Sequence, residues 1–428
     1  MGLAGLVTAI TAHEPCPARE GMGPAELVTA STAHEPSDDE PSQIVSFSLF
    51  LKRLTHKTVS LYNWQHEGWP NFQWDAPAIQ DRLQRYCRDS VALVDRIRLL
   101  PEEEVHAYLL ERLVEEARST SSIEGEIMSR HDLMSSVMNN LNLGGHAKSG
   151  HDLRAKAIGQ QMILNRDTFS RPLTESTLKY WHELLLGYEN RLTAIGEYRQ
   201  GLTPMRIVSG PDYRQEIHFE APPADRVPSE MQPFIDYCNT SRPQTVAGVT
   251  KAGVAHLWFE SIHPFEDGNG RIGRAVMEKM LSQSLGVFVP FSLSHAIERR
   301  RKEYYAALNA SSHSLDITPW MVYFSEVLLE ALNHANQLVT FTLRKHEYLT
   351  AVGNQLSDHE RKAIGKMLEA GPSGFQGGMT TKKYMRITRV SQPTAARALK
   401  RLSLIGALLQ RGRGRATHYV LPFGGDAQ

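Results

Sequence analysis

The chain has 428 residues, with 47 Lys+Arg against 47 Asp+Glu, 41% hydrophobic residues and 3 Cys. At roughly 100–200 residues per domain this length predicts about two to four folding units, each able to bury a core without disulfides or a structural metal. The cysteines Cys16, Cys87 and Cys238 are sparse and far apart, which argues against a secreted disulfide scaffold and for the reducing cytoplasm. No run approaches the ~18 apolar residues of a membrane span, and no basic region precedes the short apolar stretch at the N-terminus. A net charge of zero argues against nucleic-acid binding only if the charges are evenly spread.

Residues 1–44 are rich in Ala, Thr, Pro and Gly, and Leu6–Pro15 recurs almost unchanged as Leu27–Pro36. Two copies are too few for a solenoid and carry too little apolar surface to fold alone. The segment therefore reads as a disordered extension, or as upstream sequence translated from a misplaced start codon. Within 45–100, a Trp-rich helical region, Tyr62–Asp75 concentrates Trp64, Trp69 and Trp74, although the whole chain has only 6 Trp. Such a cluster reads as a small aromatic core, with a ligand cage as the alternative. Ala78–Leu100 then places Ile79, Leu83, Tyr86, Val91, Val94 and Ile97 at helical spacing, and Pro101 closes the run.

Glu102–Met128 is helical by composition, with an interruption at Ser119-Thr120-Ser121-Ser122, and Ser121-x-x-Glu124 has the form of a capping box that starts a helix. Helical patterns dominate from there to about His346, punctuated by loops at Leu143–Gly150 and Gly196–Pro223. Inside the second loop, Arg206–Val208 and Glu216–Phe219 alternate around Gly210-Pro211-Asp212 and read as a hairpin. Polar residues near 350–358 predict a linker to a final module.

The most informative stretch is His263-Pro264-Phe265-Glu266-Asp267-Gly268-Asn269-Gly270-Arg271-Ile272-Gly273-Arg274, set between the apolar helical runs Val254–Ile262 and Ala275–Leu285. A Gly-rich loop opening a helix offers backbone N–H groups and the positive end of the helix dipole to phosphate oxygens. Arg271 and Arg274 lie one turn apart on the second helix, where two guanidinium groups can clamp further phosphates. Asp267 supplies the hard oxygen that Mg²⁺ prefers, and His263 can accept a proton from an attacking hydroxyl near neutral pH. The sequence lacks H-E-x-x-H, with His256 and His263 wrongly spaced for it, and it lacks G-x-x-x-x-G-K-[ST].

This combination resembles the signature of the Fic (filamentation induced by cAMP) family, H-x-F-x-[D/E]-G-N-G-R-x-x-R, and matches it at every specified position. The resemblance covers roughly residues 50 to 425. It implies a mainly α fold: a Fic helical core with a β-hairpin flap at 101–348, plus a C-terminal winged helix-turn-helix (α+β) at 359–425. It also implies an enzyme that transfers AMP from ATP, with Mg²⁺, to a Tyr, Thr or Ser hydroxyl of a target protein. In that reading His263 is the general base and Asp267 the Mg²⁺ ligand. Gly268, Asn269, Gly270 and Arg271 form an anion hole around the nucleotide's phosphates, Arg274 holds the γ-phosphate, Phe265 adds to nucleotide binding, and Tyr305 and Leu308 lie beside the adenine. Some family members carry an Asn one turn beyond that leucine, where this chain has Ser312.

Thr120-Ser121-Ser122-Ile123-Glu124-Gly125 resembles the family's inhibitory motif [S/T]-x-x-x-E-[G/N], which implies that Glu124 pairs with Arg274 and blocks a productive ATP pose. The hairpin within 196–223 resembles the flap that receives a target segment, with an ordinary surface hairpin as the alternative. Removal of AMP from a modified protein would use the same site.

Thr380–Leu421 contains Lys382, Lys383, Arg386, Arg389, Arg397, Lys400, Arg401, Arg411, Arg413 and Arg415, with no Asp or Glu. Taking these ten from the 47 basic residues leaves 37 against 47 acidic ones elsewhere, so neutrality conceals a division of charge. Thr381–Ile387 and Pro393–Ile405 read as helices, and Ala407–Leu409 and Thr417–Val420 as strands around a basic tip. The order resembles a winged helix-turn-helix, which serves either DNA or protein docking. The partners expected are therefore a target protein, DNA through 380–421 and a second copy in a homodimer, with no membrane. A DNA-binding regulator whose core senses nucleotide is the alternative to the enzyme.

Overall fold

The computed structural model describes residues 61–141, 152–209, 216–240 and 246–423. The repeat within 1–44, the loop Leu143–Gly150 and the turn Gly210-Pro211-Asp212 lie outside the described residues. The first helix, α1 (Ala76–Arg98), has Pro77 in its first turn and buries Ile79, Leu83, Tyr86, Val94 and Ile97 along one face. Val91, expected on that face, is 40% exposed, and Leu93 is buried instead. Helix α2 (Glu102–Ile123) opens on Glu102, Glu103 and Glu104, acidic groups that favour the positive end of its dipole. The Ser119–Ser122 run does not interrupt it. These residues form its last turn, with Ser119, Thr120 and Ser121 buried.

Side-chain caps start the next three helices: Ser129 for α3 (Arg130–Asn140), Asp152 for α4 (Leu153–Thr168) and Thr174 for α5 (Glu175–Leu186). Strands β1 (Arg206–Ser209) and β2 (Glu216–Glu220) pair antiparallel, with an irregular register between Ile207 and Val208. Phe219 is buried, whereas Ile207, Val208 and Ile217 are exposed. Helices α6 (Val227–Asn239), α7 (Val246–Ile262) and α8 (Asn269–Leu285) follow. Nearly every residue of α7 and α8 is buried, so this pair forms the centre of the molecule rather than a two-faced surface layer.

Three helices complete the main body: α9 (Leu293–Arg299), α10 (Arg301–Ala310) and α11 (Thr318–Val352). The Trp-rich segment packs here as an aromatic core, not a ligand cage. Trp69 and Phe72 meet Trp258 edge-on, and Trp69 Nε1 donates to Glu230. Trp64 Nε1 donates to the carbonyl of Glu220, which ties this segment to the hairpin.

A second apolar cluster runs from Tyr348 to Phe423. It is built from the end of α11, α12 (Asp358–Leu368), α13 (Thr381–Thr388), α14 (Gln392–Leu404), β3 (Leu409–Arg411) and β4 (His418–Val420). The stretch near 350–358 is not an open linker. Helix α11 continues to Val352, a 3₁₀ turn follows, and Val352 and Leu356 are buried in this cluster. The two C-terminal strands pair as a hairpin, with β3 lying two residues beyond its expected start because Ala407 and Leu408 are used as core. The described chain is therefore mainly helical, with a small hairpin in the main body, as the sequence predicts. None of its described helices is long and apolar enough to cross a membrane.

Candidate active site

Helix α7 ends where His263 adopts φ 50 ahead of Pro264, turning the chain into the loop before α8. Asn269 holds that loop closed: its Nδ2 donates to the Phe265 carbonyl at 2.8 Å and its Oδ1 accepts from the Phe265 N–H at 3.0 Å. Gly268 sits at φ 77, where a side chain would be strained and a Cβ would meet Leu186 at 2.9 Å. Phe265 is fully buried and stacks on His182 at 4.3 Å. From below, Arg199 donates from Nε to the His263 carbonyl at 2.8 Å and from Nη2 to those of Ile262 and Pro222. The loop's shape is thus over-determined by groups that do not face solvent.

The first turn of α8 meets the last turn of α2. Arg274, 2% exposed, donates from Nε to Thr120 Oγ1 at 2.8 Å and from Nη2 to the Thr120 carbonyl at 2.9 Å, while Nη2 pairs with Glu124 Oε1 at 2.7 Å. Arg271 Nη1 pairs with Glu126 at 2.8 Å. A Cβ on Gly270 would lie 2.2 Å from Glu124 Oε1, so the carboxylate rests directly against the glycine loop. In chemical terms, an internal carboxylate occupies a place built for an anion: helix N-terminus, bare backbone and guanidinium together.

The capping-box reading of Ser121-x-x-Glu124 is overturned by this geometry. Glu124 is the residue that ends α2, not one in the first turn of a helix. The N–H of Glu126 donates to the Ser121 carbonyl and that of Gly125 to the Ser122 carbonyl, each at 3.0 Å, with Gly125 at φ 84. This is a Schellman C-cap, and it explains the glycine: only the left-handed conformation turns the chain sharply enough to leave Glu124 aimed at α8.

A cavity of about 710 Å³ opens beside this contact, and its walls include Glu124, His263, Gly270, Tyr305, Leu308 and Asn309. Burial, with Arg199 nearby, pushes the His263 imidazole down to about 4 from 6.5, so the ring is neutral near pH 7. Its Nδ1 is buried without a hydrogen bond. Glu260, one turn back on α7, lies 4.0 Å from that nitrogen. Burial, with Glu124 adding repulsion, raises the Glu260 carboxyl to about 8, so it is largely protonated at neutral pH. Burial alone would lower Arg274, and the Glu124 carboxylate more than offsets this, leaving its pKa above the ordinary arginine value.

Residues 172–281 match the model of the Fic/DOC family, and residues 62–143 match a domain of unknown function, DUF4172. The chain carries a Fic/DOC domain. A probable protein adenylyltransferase of Aquifex aeolicus is 33% identical over 90 residues, covering 21% of this chain and 25% of that protein. The protein adenylyltransferase Fic of Drosophila melanogaster is 26% identical over 186 residues, covering 43% of this chain and 33% of that protein. The chain thus spans about a quarter to a third of the length of these relatives. A Fic family protein from Desulfovibrio desulfuricans G20 aligns with a TM-score of 0.46 at 20% identity, over 81% of this chain and 97% of that one. A Fic domain containing signaling protein from Bacteroides thetaiotaomicron gives a TM-score of 0.45 at 19% identity, over 60% and 97%.

Within the Fic/DOC domain and the elements around it, the residues singled out by sequence, apart from Arg274, which is paired with Glu124, fall into three groups. Glu124, His263, Gly270, Tyr305 and Leu308 face one cavity. Asp267, 60% exposed in its side chain, and Arg271 lie at the mouth of the loop, 3.7 Å apart. Gly268, Asn269 and Phe265 shape the loop, and here one expectation needs correcting: the Phe265 side chain, expected to bind nucleotide, is sealed in the core against His182 and Tyr198. An aromatic ring gains more from stacking there than from a wet phosphate site. Sequence reasoning missed Glu260, Glu126, Asn309 and Arg199. Glu260 alone had a local signal, its helical spacing to His263.

Proposed function

We propose that this chain is a protein adenylyltransferase that transfers AMP from ATP to a Tyr, Thr or Ser hydroxyl of a target protein, and that Glu124 holds it in check. The observation that carries this reading is the Glu124 carboxylate lodged between Gly270 and Arg274, beside the neutral imidazole of His263. With Nδ1 of His263 enclosed, the other ring nitrogen, Nε2, takes the proton of the target hydroxyl. The hydroxyl oxygen forms a bond to the α-phosphorus, the bond to the bridging oxygen breaks, and pyrophosphate leaves with that electron pair. The α8 N-terminus and Arg271 offset the charge on the phosphates, and Arg274 takes up the γ-phosphate once Glu124 has moved away.

Asp267 fits Mg²⁺: it is a hard, water-accessible carboxylate at the phosphate end of the loop. The ion would neutralise phosphate charge there. The exposed apolar residues Ile207, Val208 and Ile217 of the hairpin support docking of an extended target segment by strand addition. The test is labelling with radioactive ATP and Mg²⁺. Glu124→Gly should label itself or a protein in extract, and the Glu124→Gly, His263→Ala double variant should lose about 10²–10⁴-fold. Equal labelling by both would sink the assignment of the base.

A second reading concerns the tail. Lys382, Arg386, Arg389, Arg397, Lys400, Arg411 and Arg413 are all exposed around α13, α14 and the hairpin tip, which favours DNA binding by a winged-helix module at 359–425. If the full chain binds DNA, affinity should fall steeply with salt and survive His263→Ala. Salt-independent or absent binding removes this reading.

A further inference from the structure

We propose that Glu115, His295 and His334 form a binding site for a divalent transition-metal ion, with Zn²⁺ the best fit. The three come from α2, α9 and α11, elements far apart in the chain, and their ligand atoms all lie within 4.8 Å of one another. Glu115 Oε1 stands 3.4 Å from His295 Nδ1 and 3.5 Å from His334 Nε2. Those spacings are long for hydrogen bonds, which run about 2.7–3.2 Å. They are the right length for two edges of a tetrahedron around zinc, since ligands at about 2.0–2.1 Å from the ion sit roughly 3.4 Å apart.

The imidazole rings stack with centroids 4.6 Å apart, which presents both nitrogens toward the same carboxylate. His295 Nδ1 is buried and makes no hydrogen bond, so no hydrogen bond competes with an ion for it. The side chains keep 17% to 30% exposure, and a cavity of about 500 Å³ lined by Glu115 and His334 provides entry. The nearest cation on the same helix, Arg118, is already committed to Glu298 at 2.9 Å. Two imidazoles with one carboxylate suit Zn²⁺ better than Mg²⁺ or Ca²⁺, which prefer all-oxygen sets, and leave a fourth position for water. Bound there, the ion would pin the middle of α2 to α9 and α11. Its influence on Glu124 at the end of that helix rests on the inhibitory role proposed above, but the binding itself does not.

The experiment is titration of the chelator-treated full chain with Zn²⁺ alone by calorimetry, and with Co²⁺ alone by its visible absorption. One equivalent should bind, with the strong absorption of four-coordinate Co²⁺, and Zn²⁺ should raise the melting temperature. Glu115→Gln and His334→Ala should each weaken binding by more than the roughly 10–100-fold that loss of an outer-shell partner costs. They should melt like the metal-free parent. His346→Ala, at an exposed position on α11, should bind as the parent does. No saturable equivalent, or binding by Glu115→Gln and His334→Ala equal to that of the parent, overturns the site. Neither readout depends on AMP transfer.

Discussion

Helix α2 is held at its middle and at its end by arginine–glutamate pairs of different kinds. In the middle, Arg112 pairs with Glu278 of α8, both side chains 3% to 5% exposed. Arg112 also donates to the Phe291 carbonyl and lies over the Phe288 ring, and Asn165 takes the other Glu278 oxygen. At the end, Arg274 is equally buried, but Glu124 is 30% exposed and borders a cavity. A pair sealed on all sides has no alternative to its partner, because neither charge can return to water. A pair with one partner at a cavity can open. The difference separates an anchor from a contact that a ligand can replace.

The largest effect is expected from Arg112→Met. It leaves Glu278 buried without its cation and should cost about 3–5 kcal/mol in urea unfolding. A loss under about 1 kcal/mol would show that the middle of α2 is no anchor. Glu124→Gly should cost less stability than Arg112→Met, since Arg274 keeps both bonds to Thr120. It should raise labelling at least about tenfold, which corresponds to about 1.4 kcal/mol of barrier. If stability collapses instead and labelling stays flat, the end of α2 is structural like the middle.

Gly125→Ala tests whether the helix cap aims the carboxylate. No atom lies within 4 Å of a Cβ there, so the cost is purely that of φ +84, about 1 kcal/mol. Labelling should rise less than in Glu124→Gly, and Gly125→Asn, which tolerates that conformation, should stay nearer the parent. The smallest effect is on pH. Because the His263 pKa is lowered from 6.5 to about 4, the neutral base persists as pH falls through 6.5. Labelling by Glu124→Gly should therefore hold through that range and decline only toward 4. The same sign applies to stability: the neutral, buried His263 contributes fully above 6.5, and that contribution is lost as pH falls toward about 4. A decline in labelling centred on 6.5, with the protein still folded, would mean that the ring is not shielded as described.

Much of the site was legible because its chemistry is local. His263, Asp267, Gly270, Arg271 and Arg274 sit on one loop and the helix start that follows it, between two apolar runs, so adjacency in sequence becomes adjacency in space. The Trp-rich segment was legible as core for a similar reason: rings that close together have to find each other or a neighbour. Misreadings arose where a short pattern served two purposes. Ser121-x-x-Glu124 fits a helix start, and only the position of Gly125 in a left-handed cap shows it to be a helix end. Phe265 lies inside the signature yet belongs to the core, because Asn269 folds the loop back over it. Arg199 acts through the His263 backbone and leaves no mark on composition or spacing, whereas Glu260 shows only as helical spacing to His263.

The helical character of the chain, the glycine loop with its arginines, and the concentration of positive charge in the tail can all be read from the amino-acid sequence, since each depends on residues a few positions apart. Which acid meets Arg271, and which oxygens of α2 besides Glu124 meet Arg274, is settled by tertiary packing. Arg274 bonds Thr120 across 154 residues, and Arg271 reaches Glu126 across 145. Tertiary packing likewise brings Glu115, His295 and His334 together from three helices. The physical reason is burial. Packing α2 against α8 removes water from the arginines, and a buried cation has to take a carboxylate that the packing brings within reach. For Arg271 that choice is set by packing, and no local pattern encodes it.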